Sequence, residues 1–133
     1  MVPRDRLVPP DLQAEAWENV PLPIGSGQTI SQPLVVARMC EVLELDGSET
    51  ALDVGTGSGY HAAVLARLVR HVHSIEVHEE LSRQAAANLR AAGVTNVTLA
   101  VGDGSRGLPE HAPYEAINVA AAAGGAIPEA LAA

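Results

Sequence analysis

The sequence is poor in the features that mark secreted, membrane and nucleic-acid-binding proteins. Its single cysteine, Cys40, has no partner for an internal disulfide. Free cysteines are usually buried, so Cys40 is predicted to be a reduced thiol in the core. No apolar run approaches the roughly 20 residues that cross a bilayer, and residues 1–10 lack the apolar stretch of a signal peptide. These absences predict a cytoplasmic protein.

Positive charge is also scarce. The chain carries 8 Lys and Arg residues against 16 Asp and Glu residues, a formal net charge of -8. Such a field repels phosphate backbones and anionic membrane surfaces, so neither nucleic acid nor membrane is expected as a partner. With 133 residues, of which 47% are hydrophobic, the chain is predicted to be one domain. Residues 1–48 form its N-terminal segment and helix, and residues 49–133 its βαβ core.

From Thr50 onward the sequence repeats a short β-branched run, a turn and a helix-period segment, which is typical of a parallel α/β sheet. The pattern predicts strands at 50–54, 71–76, 97–101 and 115–119. It predicts helices at 59–69 and 79–92, with Gly93 as the cap after the second of them.

Two further helices are predicted outside this repeat. One begins after Ser31, whose hydroxyl is expected to cap it, with Pro33 in the first turn. Its core face is predicted from the apolar spacing to be Val35, Met39, Val42 and Leu43. The other is a short helix that opens at Ile127-Pro128.

A glycine loop joins the first strand of the repeat to the following helix. Its glycines are spaced Gly-x-Gly-x-Gly, unlike the dinucleotide pattern, and Asp53 just ahead of the loop disfavours a pyrophosphate. S-adenosylmethionine suits this charge pattern, because it offers a carboxylate to the loop amides and cationic groups to an acid. A different nucleotide site and a plain tight turn remain alternatives. The candidate cofactor-binding residues here are Asp53, Gly55, Thr56, Gly57, Ser58 and Gly59.

Two acidic residues end the next two predicted strands. Glu76 follows the loop at the distance where an acid can accept hydrogen bonds from both ribose hydroxyls. Asp103 and Gly104 follow the third strand on the same edge of the sheet, where an acid beside flexible backbone can read an adenine amino group. A solvated glutamate and a turn aspartate are the alternative interpretations.

The segment 23–33, Pro-Ile-Gly-Ser-Gly-Gln-Thr-Ile-Ser-Gln-Pro, taken with these sites, resembles the protein-L-isoaspartate O-methyltransferase family. The resemblance extends to Leu108-Pro109-Glu110, Ala112-Pro113-Tyr114 and Ile127-Pro128. It implies a three-layer Rossmann-like fold of S-adenosylmethionine-dependent methyltransferases, with a mostly parallel sheet that is incomplete at its C-terminal side. It also implies methyl transfer from S-adenosylmethionine to the free carboxylate of isoaspartyl residues in damaged proteins or peptides, as a step of repair.

The same resemblance assigns roles to individual residues. It implies that Ser31 is the catalytic residue, that Thr29, Ile30 and Ser31 bind substrate, and that Glu76, Asp103 and Gly104 contact the adenosine. A carboxylate is already ionised near neutral pH, so the transfer requires no general base and depends on positioning. Ser31 is therefore predicted to hold the substrate carboxylate as well as to cap its helix, with capping alone as the alternative.

The chain departs from the family pattern in several places. Family members extend beyond both ends, and they have aspartate where Glu115 stands and a threonine near Ala120. The chain is therefore expected to be shortened, with the strand at 115–119 as an open edge that invites self-association. A tailoring aspartyl O-methyltransferase, a non-catalytic remnant and a nicotinamide-dependent oxidoreductase are the competing hypotheses.

Two other residue types are interpreted as structural. His71 and His73 lie on one side of a predicted strand without a third ligand of suitable spacing, so no metal site is expected. Trp17 is predicted to be a packing anchor over the segment at 23–33.

Overall fold

The computed structural model describes residues 2–120 and 126–132. The N-terminal part contains two short 3-10 segments, a two-stranded hairpin and one helix. The hairpin pairs β1 (Leu22–Gly25) with β2 (Gln28–Ile30) in antiparallel register, and α1 (Pro33–Val42) follows it. None of the helices in the described ranges is long and apolar enough to span a membrane.

The rest of the described chain forms a four-stranded sheet with helices between the strands. Its strands are β3 (Thr50–Val54), β4 (His71–Glu76), β5 (Val97–Val101) and β6 (Ala116–Val119). Its helices are α2 (Tyr60–Ala66), α3 (Glu79–Ala91) and α4 (Glu129–Ala132). The sheet order is β5-β4-β3-β6 and all pairs are parallel. The predicted α/β class and parallel sheet are confirmed.

The two faces of the sheet are covered by different layers. On one face Ala51 and Val72 belong to a large apolar core built with side chains from α1, α2 and α3, including Val36, Leu65 and Leu81. On the other face the residues Leu52, Val54 and Ile75 pack against Leu108, Tyr114 and Leu131, which come from the loop before β6 and from α4. Successive strand side chains alternate between these faces, so each strand contributes to both cores.

The predicted core face of α1 is wrong at Val35 and Val42, while Leu43 is partly buried and packs against the core as predicted. Val36 and Cys40 are the buried residues of this helix, whereas Val35 is 39% and Val42 60% exposed. The start of α1 is an uninterrupted apolar run, which fits several helix faces equally well, and tertiary contact decides between them. Cys40 is free and buried as predicted, and burial raises the pKa of its thiol to about 11.

The predicted capping of α1 by Ser31 is also wrong. Gln32 is the N-cap residue and makes no side-chain cap. Asn19 takes this role from a distant part of the chain, since its Oδ1 accepts from the backbone N–H of Leu34 at 3.2 Å. The carbonyl of Asn19 also accepts from Nε2 of Gln32 at 3.1 Å. The Ser31 hydroxyl is therefore not committed to the helix.

Smaller differences concern the end of one helix, the start of one strand and the exposure of one side chain. The helix predicted at 59–69 is shorter, because the chain leaves it as a turn after Ala66. The fourth strand begins at Ala116, and the Glu115 carboxylate instead accepts from the Thr50 N–H at 3.1 Å. Trp17 is 48% exposed, so its prediction as a packing anchor is wrong. Residues 121–125, where the departure near Ala120 continues, lie outside the described part of the chain.

Candidate functional site

A cavity of about 410 Å³ opens at the carboxyl ends of β3, β4 and β5. It lies where the chain reverses its order across the sheet, since β4 and β5 lie on one side of β3 and β6 on the other. Open α/β sheets bind ligands at this kind of position. The volume falls in the range of about 300–1,000 Å³ that is typical of small-molecule sites.

The glycine loop forms one wall of this cavity. Gly55, Gly57 and Gly59 have φ values of 94°, 55° and 90°, which side chains other than glycine adopt poorly. Gly55 and Gly57 line the cavity, so backbone rather than side chain faces the interior there. Gly59 lies at the N-terminus of α2 and lines no described cavity; a Cβ on it would contact Leu89 at 3.3 Å. The loop is thus a tight turn that also presents bare backbone to a ligand.

The Glu76 carboxylate is fixed at the end of β4 and lines the same cavity. Its Oε1 accepts from the Gly57 N–H at 2.8 Å, and its Oε2 accepts from the His78 N–H at 3.0 Å. The residue is only 5% exposed. Each carboxylate oxygen can accept more than one hydrogen bond. Glu76 therefore holds the glycine loop in place and has acceptor capacity left for a ligand.

Asp103 and Gly104 form the opposite wall, after β5. The Oδ1 of Asp103 accepts from the backbone N–H and the hydroxyl of Ser105 at 3.0 and 2.7 Å, which lowers the pKa of Asp103. At Gly104 the backbone crosses closely over the end of β3, since a Cβ there would lie 2.4 Å from Cγ1 of Val54. Only glycine fits this crossing without displacing its neighbours.

Four predicted cofactor residues, Asp53, Thr56, Ser58 and Gly59, do not line this cavity, and Asp53 lies farthest from the prediction because its side chain points to the other face of the sheet. Strand alternation places its side chain on the opposite face from Val54, and it is fully buried. It accepts hydrogen bonds from the Ser74 hydroxyl at 2.7 Å and from Nδ2 of Asn118 at 2.9 Å. Burial raises the pKa of Asp53 to about 6. Its carboxylate therefore lies beneath the glycine loop, as the centre of a buried polar network.

Sequence reasoning missed two other members of this network, Ser74 and Asn118, and assigned the third, Thr56, to the cofactor. Ser74 and Asn118 lie directly opposite Asp53 in the two neighbouring strands. The Thr56 hydroxyl lies 2.6 Å from that of Ser74. Because Ser74 donates to Asp53, Thr56 is the donor in this contact. A short polar residue at the same register position of three neighbouring strands, Asp53, Ser74 and Asn118, is a signal that the sequence does contain.

A second, smaller cavity of about 30 Å³ lies beside the first. Thr29 and Ile30 of β2 and the following Ser31 line it together with Thr56 and Ser58 of the glycine loop. Thr29 also lines the larger cavity. The structure therefore places the three predicted substrate residues directly against the predicted cofactor loop.

His61, at the start of α2, also lines the smaller cavity. Its lowered pKa predicts that the stability of the folded chain depends on pH. Burial lowers the pKa of His61 from 6.5 to about 4. Between these values the folded chain binds fewer protons than the unfolded chain, so stability present above pH 6.5 is lost as the pH falls. Asp53, whose pKa is raised, acts in the opposite direction below pH 6.

Comparison with His61→Gln isolates this contribution. At about 1.4 kcal/mol per pKa unit, the wild-type chain is expected to lose about 2 kcal/mol more free energy of unfolding than the variant between pH 7 and pH 5. Urea unfolding of both proteins at the two pH values measures the difference. Equal losses in both would contradict the assignment of this pH dependence to His61.

A histidine cluster lies apart from both cavities. The rings of His73 and His111 stack with centroids 4.2 Å apart, and His71 lies 4.7 Å from His73. Burial and the neighbouring rings lower the pKa of His73. Within residues 2–120 and 126–132 no group of three or more His, Cys, Asp or Glu side chains is arranged to hold a metal ion.

Comparisons with known proteins agree with this geometry. The family model described as protein-L-isoaspartate(D-aspartate) O-methyltransferase matches residues 1–133. A curated protein-L-isoaspartate O-methyltransferase from Ignicoccus hospitalis is 54% identical over 133 residues, which cover 98% of this chain and 63% of the relative. The chain thus spans less than two thirds of that relative's length.

Two solved structures are similar to the whole described fold. One, of a protein-L-isoaspartate O-methyltransferase, has a TM-score of 0.85 and 30% identity, covering 98% of this chain and 43% of the other. The second comes from a Plasmodium falciparum protein assigned to the same type of enzyme, in complex with S-adenosyl-L-homocysteine. Its TM-score is 0.73 at 24% identity, with coverage of 98% and 66%, and it shows a shared fold.

Proposed function

The chain belongs to the protein-L-isoaspartate(D-aspartate) O-methyltransferase family, and from this premise we propose that it methylates the free carboxylate of L-isoaspartyl residues in damaged proteins or peptides. S-adenosylmethionine is the proposed methyl donor. The observation that carries the proposal is the position of Thr29, Ile30 and Ser31, which share a cavity with the glycine loop beside the larger cavity. The family match gives no support to the alternative hypotheses.

The larger cavity has the donor and acceptor groups that S-adenosylmethionine requires. Glu76 has free acceptor capacity for a pair of ribose hydroxyls, because each of its oxygens uses only one backbone donor. Asp103, held by Ser105, faces the same cavity and suits an adenine amino group. Gly55 and Gly57 offer backbone to the amino-acid part. The complex of the Plasmodium protein with S-adenosyl-L-homocysteine supports this assignment.

The other loop residues act on the cofactor indirectly in this proposal. Asp53, through Ser74, orients the Thr56 hydroxyl and so fixes the backbone of the glycine loop. Ser58 accepts from the Tyr60 N–H at 3.2 Å and shapes the start of α2. Gly59 permits close packing of α2 on α3. Asp53, Ser58 and Gly59 are therefore positioning residues. The residues proposed to contact the ligand itself are Gly55, Gly57, Glu76, Asp103 and Gly104.

When bound, S-adenosylmethionine supplies an activated methyl group with a neutral thioether as leaving group. A substrate carboxylate oxygen forms the new bond to the methyl carbon while the carbon–sulfur bond breaks. The electron pair of the broken bond stays on sulfur. No proton moves, so this chain needs no general base. Ser31 donates a hydrogen bond that holds the carboxylate in line, and positioning of this kind provides most of the rate.

Ser31→Ala tests this role. Because Ser31 makes no helix cap, the variant is expected to keep its stability and its affinity for S-adenosylhomocysteine. Its kcat/KM for an isoaspartyl peptide is expected to fall by about 10–100-fold, which corresponds to the loss of one hydrogen bond to a charged group. Steady-state methylation and calorimetric titration measure the two quantities. Ser48→Ala, in an exposed turn, is the control.

The outcome separates the proposed function from a non-catalytic fold. An unchanged kcat/KM in Ser31→Ala would show that Ser31 has no catalytic role. A wild-type chain that binds S-adenosylhomocysteine but labels no isoaspartyl peptide would indicate that the cofactor site is present without the activity.

Self-association through β6 is a further proposal. Among the described residues, β6 has β3 as its only strand neighbour, and Val119 on this strand is 36% exposed. A free parallel edge is a template for pairing with another chain. Light scattering at micromolar concentration is expected to show species larger than a monomer, and a monodisperse monomer would contradict this. Cys40 is a free cysteine, and unpaired thiols are usual in a reducing compartment, which supports the proposed location in the cytoplasm.

A further inference from the structure

His61 occupies a position that the mechanism above leaves without a task. It is the second residue of α2, follows the glycine loop directly and is only 6% exposed. Its side chain lines the small cavity that also contains Ser31 and Thr29. Its Nε2 is buried and has no hydrogen-bond partner among the described residues. Buried polar atoms are rarely left unpaired, so an unpaired one beside a candidate site points to a ligand.

The network beneath the glycine loop fixes which nitrogen of His61 carries the proton. Nδ2 of Asn118 donates to Oδ1 of Asp53 at 2.9 Å, which orients the amide with its NH2 group toward the carboxylate. The same Nδ2 lies 3.3 Å from Nδ1 of His61. An amide nitrogen only donates, so Nδ1 accepts and the proton of the neutral ring is on Nε2. The unpaired atom is therefore a donor.

The cavity that His61 lines is small and adjoins polar groups. Its volume of about 30 Å³ exceeds the roughly 10–15 Å³ that one water-sized group needs. The space therefore admits an oxygen-sized group, such as one oxygen of a carboxylate. Ser31, the residue proposed to hold the substrate carboxylate, lines the same space.

We propose that His61 is a substrate-binding residue whose Nε2–H donates a hydrogen bond to an oxygen of the isoaspartyl carboxylate, together with the Ser31 hydroxyl. This inference rests on the proposed function and adds His61 to Ser31 as a second residue that binds the substrate carboxylate. The ring N–H of fixed direction and the hydroxyl together define the plane of the carboxylate, which one rotatable hydroxyl alone does not. They therefore aim one oxygen at the methyl group.

A neutral donor suits this reaction better than a cation. A carboxylate anion and a sulfonium become a neutral ester and a neutral thioether, so negative charge on the carboxylate decreases toward the transition state. A cationic imidazolium would stabilise the starting carboxylate more than the transition state and would slow the transfer. Burial keeps the ring neutral at pH 7 by lowering the pKa of His61, and Asn118 keeps its proton on Nε2.

The test compares His61→Leu, which removes the donor, with His61→Gln, whose amide restores one. His61→Leu is expected to raise KM for an isoaspartyl peptide by about tenfold, the loss of one hydrogen bond to a charged group. Affinity for S-adenosylhomocysteine is expected to stay unchanged, because the larger cavity is not altered. His61→Gln is expected to return most of the peptide affinity, and a purely structural role for His61 does not predict a raised KM together with unchanged affinity for S-adenosylhomocysteine.

A second measurement keeps the inference testable if His61→Leu fails to fold. In the wild-type chain with S-adenosylhomocysteine bound, the 15N resonance of Nε2 of His61 is expected to shift on addition of isoaspartyl peptide and not of its aspartyl twin. An unmoved resonance, or a KM of His61→Leu equal to that of wild type, would overturn the inference alone. A wild-type chain that neither binds nor methylates the isoaspartyl peptide would overturn the proposed function and the inference together.

Discussion

Gly104→Ala is expected to weaken binding of S-adenosylhomocysteine by about tenfold or more and to lower the free energy of unfolding by about 1–3 kcal/mol. The added Cβ would lie 2.4 Å from Cγ1 of Val54 and 3.3 Å from Cγ2 of Ile75. Both neighbours are buried, β-branched residues with few rotamers, so they cannot turn aside freely. Either Val54 moves into the cavity or the loop carrying Asp103 moves away.

Gly102→Ala is the matched control, two residues earlier in the same loop. Its Cβ would meet only Cδ1 of Ile75, at 3.4 Å, which is close to ordinary contact. Calorimetric titration and urea unfolding of both variants measure the two effects. If Gly104→Ala bound S-adenosylhomocysteine as tightly as Gly102→Ala, the larger cavity would not be the cofactor site.

Glu76→Gln is expected to have an effect of similar size on ligand affinity by a different route. The amide nitrogen that replaces one oxygen is a donor and faces a backbone N–H, either of Gly57 or of His78. One charge-assisted hydrogen bond is lost, worth about 1.5–3 kcal/mol, and the glycine loop loses its tie to β4. The ribose hydroxyls also lose one of the two side-chain oxygens of residue 76 that are proposed to accept from them. We expect affinity for S-adenosylhomocysteine to fall by about 10–100-fold.

Glu79→Gln removes the same charge three residues later and is the control. Glu79 is exposed at the start of α3, so the affinity of this variant is expected to match that of wild type. Calorimetric titration at one ionic strength compares the two variants. Equal losses in both would mean that Glu76 acts only through net charge and not through its position in the cavity.

The sheet could be predicted from the sequence because each strand is bounded by clear turn signals. The strands at 50–54, 71–76 and 97–101 were located to the residue. The orientation of α1 was not predictable, because its apolar run has no single face. The capping by Asn19 joins residues 15 apart in the chain and follows no local rule. Short-range patterns therefore defined the elements, and long-range contacts oriented them.

The prediction of the site was likewise successful where short-range patterns suffice and unsuccessful where long-range contacts decide. Glu76 and Asp103 could be placed together because consecutive parallel strands bring their carboxyl ends to one edge. Asp53 was expected at that edge too, but strand alternation points its side chain away from the cavity. His61 escaped notice because its defining contact is with Asn118, 57 residues away. Its role follows from an unpaired atom and a cavity, and sequence alone shows neither.

Methyl transfer to a matched pair of peptides tests the central claim most directly. The wild-type chain is incubated with labelled S-adenosylmethionine and a peptide that contains one isoaspartyl residue, and in parallel with the identical peptide that contains aspartate. We predict saturable, base-labile labelling of the isoaspartyl peptide, with little on its twin. Equal labelling of the two peptides would contradict the proposed recognition of the isoaspartyl carboxylate, and no labelling by a chain that binds S-adenosylhomocysteine would contradict the proposed activity.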